Sequence, residues 1–427
     1  MNSSKSNHSV WSRRGILRAT AAAAVTVAAS ALLRPGWLHA APRPPKPIGG
    51  FDAKAWIAQW KKYILDAQAH DRYCDKETGE ELGWLVSPYL YGFYYGFMAT
   101  QQPKWIDLMV DWSDAWTRRG QKEPDGYLGW PKADGASTEV VPHLLTDNIL
   151  GEAMALRPAV LMAAEVLNSP SLKSKYGAKF KQYLDLSEQV FNKWDARYTW
   201  REIKAGGVWV VPEFGLSANG GKWDEGFANR KTSGFSLPDN KQNLLAQWLM
   251  AMADVTGKSI YRKRATQWWQ VMKSRMRLRE GKYYDWDYWC PAGPWDYKSN
   301  NEPRHWVGVH PNGGYYDIDL EGIVNAYDHK IVFEKTEIDR LIATNRDFMW
   351  NQQIQGAKFK RMDGGEPDKR WKDSPGVLWH ALIPYDDKLR QIFEANHEPA
   401  SWGGLAGTPW YVALAAGKLA PPKPVAG

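Results

Sequence analysis

Hydrophobic positions along this chain recur mostly three and four residues apart, the spacing of one helix face. The pattern predicts twelve helices, over 52–70, 87–100, 104–119, 146–168, 173–199, 239–256, 258–279, 317–333, 336–352, 374–383, 386–396 and 405–418. No long alternating stretch competes, and short hairpin strands are expected only near Gly207 to Phe214 and Lys282 to Trp289. The helices are of two kinds. Ile149 to Leu167, Leu244 to Ala253, Ile318 to Val332 and Leu405 to Ala416 are apolar nearly all round. Phe51 to His70, Lys173 to Trp200, Lys258 to Arg279 and Thr336 to Trp350 are amphipathic and charged.

Alternation of buried and half-exposed helices is what an inner ring inside an outer ring requires. The expected fold is therefore all-α, an (α/α) toroid of six or seven helical hairpins with a few short β-hairpins in loops. Long polar loops at 120–145, 200–238, 280–316 and 353–373 precede the apolar helices, whereas Thr100 to Lys104 and Thr256 to Ser259 are tight turns. Such loops gather at one face, where helix N-termini offer amide donors and a positive dipole to anions.

The N-terminus qualifies this picture. Ser12-Arg13-Arg14-Gly15-Ile16-Leu17 is a twin-arginine signature, Ala21 to Leu33 is apolar but short for a bilayer, and Leu38-His39-Ala40 offers a cleavage site. The expected organisation is a signal peptide over 1–41, a Pro-rich tether over 42–50, one catalytic domain over 51–420 and a frayed tail over 421–427. Export places the mature chain in the periplasm or outside the cell. The signal carries Lys5, Arg13, Arg14, Arg18 and Arg34 and no acid, so the net charge of +8 less five leaves +3. A mildly basic chain without a clustered basic face argues against nucleic acid and leaves room for a local groove that takes an acidic substrate. Cys74 and Cys290 fit no metal or redox spacing. Tryptophan, at 25 residues, is the compositional outlier; flat rings with polar tips suit sugar clefts and also fill cores.

The densest chemistry is the loop from Asn301 to Gly322, with Arg304, His305, Trp306, His310, Tyr315 and Tyr316 ahead of a helix for which Asp317 is the expected N-cap. Gly313 and Gly314 are expected to supply backbone freedom. A tyrosine serves as base and acid if nearby cations lower its pKa, and Arg304, His305 and His310 are those cations. One tyrosine is expected to face the cleft and the other to pack. Asp317, Asp319 and Glu321 alternate like Ca²⁺ ligands but lack a glycine-punctuated loop, so no metal is expected. Two further mouths contribute His143 and Asn148, and Asn240 and Asn243. Asp147, Asp239 or Thr146 explain part of those strings as caps. Substrate subsites are expected at Tyr284 and Trp286 in an alternating aromatic and acidic strand, at Trp209 and Trp223 with Glu213 in a lid loop, at Trp306, and at Arg370 and Trp371 between Lys369 and Lys372.

An exported helical toroid with Trp-rich clefts and Asn, His, Arg and Tyr at inner-helix mouths resembles the (α/α)-toroid polysaccharide lyases, the alginate and glucuronan lyases including polysaccharide lyase family 38. The resemblance is one of pattern over roughly residues 50–418. It implies β-elimination on a 4-linked uronic acid. Asn240 or Asn148 then resembles the group that neutralises the carboxylate, Arg304 its cationic partner, His143, His305 or His310 the histidine, and Tyr315 or Tyr316 the tyrosine that moves the proton. The adjacent Asn-His pair of some of these lyases is absent, which leaves open which Asn and His act. The alternative is a glycoside hydrolase on the same scaffold, drawing a carboxylate pair from Asp147, Glu213, Asp239, Asp317 and Glu321. A glycan-binding protein without catalysis would need the aromatic rings alone. The expected partner is an acidic polysaccharide, met by a monomer with no cofactor, nucleic acid or membrane.

Overall fold

A computed structural model describes residues 51–132, 144–211, 215–217, 222–224, 234–372 and 374–419. The expected signal, tether and tail, and His143 and Glu213, lie outside the described residues. The chain is mostly helical. Its α-helices are α1 Ala53–His70, α2 Ser87–Thr100, α3 Lys104–Thr117, α4 Ile149–Leu167, α5 Pro170–Ala196, α6 Asp239–Thr256, α7 Ser259–Arg275, α8 Gly314–Asp328, α9 Lys335–Ala343, α10 Asp387–Asn396 and α11 Gly404–Ala415. Two antiparallel hairpins lie near the predicted ones: β1 Trp200–Ile203 with β2 Gly206–Trp209, and β3 Arg277–Arg279 with β4 Tyr283–Asp285. No helix among the described residues is long and apolar enough to cross a membrane.

The two kinds of helix separate as their composition demands. In α4 every residue but Glu165 and Leu167 is buried, and α2, α6, α8 and α11 are nearly as enclosed. These helices pack on one another in the order α11, α2, α4, α6, α8, followed by the 3₁₀ turn His380–Tyr385. Four of these elements are followed closely in sequence by an amphipathic helix that packs on them: α3 on α2, α5 on α4, α7 on α6 and α10 on the 3₁₀ turn. Phe393 of α10 meets Trp410 of α11, with ring centroids 6.4 Å apart, and α1 packs on α11. Deep among these helices, Arg157 of α4 reaches Glu321 of α8, Nη1 to Oε1 3.3 Å, while its guanidinium lies 5.8 Å from the ring of Tyr91 on α2.

Tryptophan is chiefly a core residue. At least eleven are fully buried, including Trp60, Trp105, Trp112, Trp248 and Trp268, so most of the enrichment fills space between the layers. Each such ring is worth about 1.5–3 kcal/mol in removed apolar surface. Cys74 and Cys290 are free thiols.

Three predicted helices differ. The one expected over 317–333 begins at Gly314, because Asn312 caps it with Oδ1 accepting the Gly314 N–H at 2.9 Å. It stops at Asp328, before the positive φ angles of Lys330 and Val332. The segment 374–383 is helical only as the 3₁₀ turn from His380; ahead of it, Phe359 bridges to Gly376 in strand fashion. The segment 336–352 is α-helical to Ala343 and then widens into a π turn, Thr344–Met349.

Candidate active site

The starts of α4 and α6 both reach one carboxylate, Glu80. It stands on the turn ahead of α2, where Gly79 takes φ +62° and the first turn of α4 comes very near: a Cβ on Gly151 would lie 2.0 Å from the Gly79 carbonyl oxygen. Only glycine permits that approach. It sets Glu80 against Asn148, which caps α4 by accepting the Leu150 and Gly151 N–H groups at 2.9 and 3.2 Å and donates Nδ2 to Glu80 at 3.3 Å. Lys241, on the first turn of α6, donates Nζ to Glu80 Oε1 at 2.7 Å, and Trp84 donates Nε1 at 2.9 Å. The Glu80 charge also acts on Tyr315, on the first turn of α8, and on Tyr288 in the loop before it.

The α8 mouth carries the rings. His310 and Tyr315 meet edge to face at 4.4 Å, and Tyr288 lies 5.2 Å from Tyr315 and 4.8 Å from His310. His305 flanks Tyr288 at 6.1 Å, while Trp306 and Trp371 each approach His310 at 6.2 Å. Trp306 is half exposed, a ring presented to solvent. Gly313, at φ −64°, supplies space and not unusual backbone: a Cβ there would lie 2.5 Å from Gly376 Cα in the loop that carries Trp371.

Protonation follows from these surroundings. The Asn312 N–H donates to His310 Nδ1 at 3.0 Å, which places the ring proton on Nε2. Burial, with the positive charge of Arg361, pushes His310 down to about 4. His310 is thus a neutral ring with an N–H donor. Burial and then the Glu80 charge raise Tyr315 above the ordinary value for a phenol, and burial raises Tyr288 well above it. This corrects the expectation of a cation-lowered tyrosine: His310 is neutral, and Arg304 donates Nη1 to the Trp295 carbonyl at 3.0 Å with its guanidinium 5.8 Å from the Phe235 ring.

Other predicted site residues are placed in the core. Tyr316 is buried, its hydroxyl accepting the His310 backbone N–H and its ring edge-on to Trp286 at 5.5 Å. Asn243 has no exposure, donating to Asp319 and accepting from Trp268 Nε1 at 2.6 Å, so neither amide atom is left for a ligand. Trp286 is fully buried and donates to Asp319 at 2.8 Å. Trp209 packs edge-on to Trp200 at 4.6 Å, and the Tyr284 hydroxyl accepts from Arg340 at 3.1 Å. Trp223 lies in the short strand Trp223–Asp224, and Arg370 is exposed.

Asn240 is also buried, yet neither of its amide atoms has a hydrogen-bond partner among the described residues. An orphaned amide beside Lys241, on the first turn of an inner helix, is an open hydrogen-bonding position.

Three carboxylates of the hydrolytic alternative are engaged. Asp147 is held by Lys193 at 2.6 Å and Arg197 at 3.2 Å, Asp317 by the His380 N–H at 2.9 Å, and Glu321 by Arg157 at 3.3 Å. Asp239 meets Arg275 through one oxygen, while its other oxygen has no partner among the described residues and burial pushes the carboxyl up to about 7.

Sequence reasoning misses Glu80, Lys241 and Tyr288. Lys241 stands inside the string Asp239-Asn240-Lys241-Gln242-Asn243, where the amides draw attention, and the one local cue to Glu80 is the preceding Gly79. No family model, curated protein or solved structure matches the chain.

Proposed function

We propose that this protein is a polysaccharide lyase that cleaves a 4-linked uronic-acid polymer, of the alginate or glucuronan kind, by β-elimination. The observations that carry the reading are the Lys241–Glu80 pair beside the unpartnered Asn240 amide, and the Tyr288, His310 and Tyr315 rings packed together within range of the Glu80 charge. An acidic sugar needs cations and donors at that place; a hydrolytic pair needs two available carboxylates, and three of the candidates are tied up in the core.

The roles follow from the chemistry. A proton alpha to a carboxylate is very weakly acidic until that charge is neutralised, which Lys241 and the open Asn240 amide do, lowering the barrier by several kcal/mol. The tyrosinate of Tyr315 takes the C5 proton. The electron pair forms the C4–C5 double bond as the C4–O4 bond breaks, and the resulting phenol returns the proton to O4. His310 donates Nε2–H to the substrate, and Trp306 offers a face to a neighbouring sugar. Glu80 positions Lys241 and keeps Tyr315 strongly basic.

The packing order α11, α2, α4, α6, α8 and the 3₁₀ turn, together with the Arg157–Glu321 contact between helices that both pack on α6, supports an (α/α) toroid in which these helices form the inner ring. The twin-arginine signature supports export to the periplasm or beyond. The test is to incubate the protein with alginate, polymannuronate, glucuronan and neutral glucans: cleavage of a uronan and of no neutral glucan is expected, whereas cleavage of neutral glucans alone would sink the reading.

A further inference from the structure

Behind the loop that brings Trp371 to His310 lies a separate cavity of about 420 Å³, between 357–378 and α10. That volume falls in the roughly 300–1,000 Å³ range of small-molecule sites. Its walls are of two characters. Phe359, Val377, Leu378, Ile392 and Phe393 make an apolar lining, and His397 stacks on Phe393 with centroids 4.4 Å apart. The polar lining is Lys358, Lys372, Asn396, His380 and His397, and no carboxylate is among the described residues that line it.

The side chains are not loosely gathered. His380, 3% exposed, is fixed in the wall by Asp317, Nδ1 to Oδ2 3.0 Å, and its backbone N–H donates to the other carboxylate oxygen. Asn396 is tied to the cavity's loop through the Gly356 N–H at 3.0 Å and the Ile354 carbonyl at 2.6 Å. The two lysines are exposed and face a concave apolar surface. Flat apolar walls suit the C–H faces of a pyranose, and two ammonium groups suit an anion.

We propose that this cavity binds one or two units of a carboxylated sugar, as a second site separate from Tyr315, with Lys358 and Lys372 receiving the carboxylate and the Phe359–Phe393 walls receiving the ring. The chemical class follows from the cavity's own lining and agrees with the acidic substrate proposed above.

The test uses the full protein and glucuronate, a monosaccharide with no glycosidic bond to cleave, so binding is read without turnover. Titration by calorimetry at low salt should give saturable binding, with glucose and inorganic phosphate weaker. In the Lys358→Ala/Lys372→Ala double variant, whose changes lie on the surface, affinity should fall roughly tenfold or more. Lys241→Ala should leave this binding in place. Equal affinity for glucose, tighter binding of phosphate, no binding at all, or an affinity unmoved by the double variant but lost in Lys241→Ala would each overturn the second site. The last outcome leaves the lyase reading intact, and an inactive protein that still binds glucuronate through the two lysines would leave the second site intact.

Discussion

Lys241 and Glu80, 161 positions apart in sequence, are joined by a 2.8 Å hydrogen bond that ties the first turn of α6 to the turn ahead of α2. Replacing Lys241 by Ala removes the cation assigned to the substrate carboxylate, and kcat/KM on uronan should fall about 10²–10³-fold. Lys241→Arg should recover part of it. Glu80, left with Asn148 and Trp84 but without its cation, should cost about 1–3 kcal/mol in urea unfolding.

The two adjacent tyrosines should separate cleanly. Tyr315→Phe removes the group that moves the proton, so elimination should become undetectable while the melting curve stays close to wild type. Tyr316→Phe removes a buried hydroxyl that accepts the His310 N–H, and should cost about 1 kcal/mol with most activity kept. The reverse pattern would exchange their roles.

Because burial and Glu80 raise Tyr315 above the ordinary value for a phenol, its tyrosinate grows only as pH rises. The free-enzyme rate, read as kcat/KM, should therefore climb through the alkaline range. Glu80→Gln removes a negative neighbour, lowers the phenol pKa and should shift the climb to lower pH. A profile flat from pH 6 to 9 would speak against a tyrosine base.

His310 offers a spectroscopic check. With its folded pKa pushed down to about 4, it should remain neutral at pH 6, with Nδ1 unprotonated and Nε2 protonated in ring ¹⁵N shifts. The linkage has a definite sign. The unfolded chain binds more protons than the folded one between about 4 and the ordinary 6.5, so this contribution to stability is complete above 6.5 and is lost as pH falls toward 4.

Gly151→Ala tests how Glu80 is seated. A methyl group 2.0 Å from the Gly79 oxygen must push the turn away, with a stability cost of about 1–3 kcal/mol. Activity should fall further than that loss explains, because Glu80 moves with the turn.

Much of the helical architecture is legible in sequence because it rests on local pattern. Apolar helices such as Ile149 to Leu167 announce complete burial, and short turns such as 101–103 announce hairpins. The α8 mouth is legible as a loop too rich in Arg, His and Tyr to be a connector. What sequence does not carry is pairing at a distance. Asp317 reads as a cap until His380, 63 residues later, takes its carboxylate, and Asn312 does the capping. Asn240 and Asn243 read alike, but one turn further down the helix Asn243 meets Asp319 and Trp268, while Asn240 has no partner among the described residues. The apolar string Val377-Leu378-Trp379 suggests a helix, yet Pro375 and the backbone crowding at Gly376 keep it extended.

The central claim is elimination, and the product ends test it most directly. In a digest of the preferred uronan, the ultraviolet absorbance of the C4–C5 double bond should give one unsaturated end for every new reducing end, and both should vanish with Tyr315→Phe. New reducing ends without that absorbance would mean hydrolysis and would contradict the account.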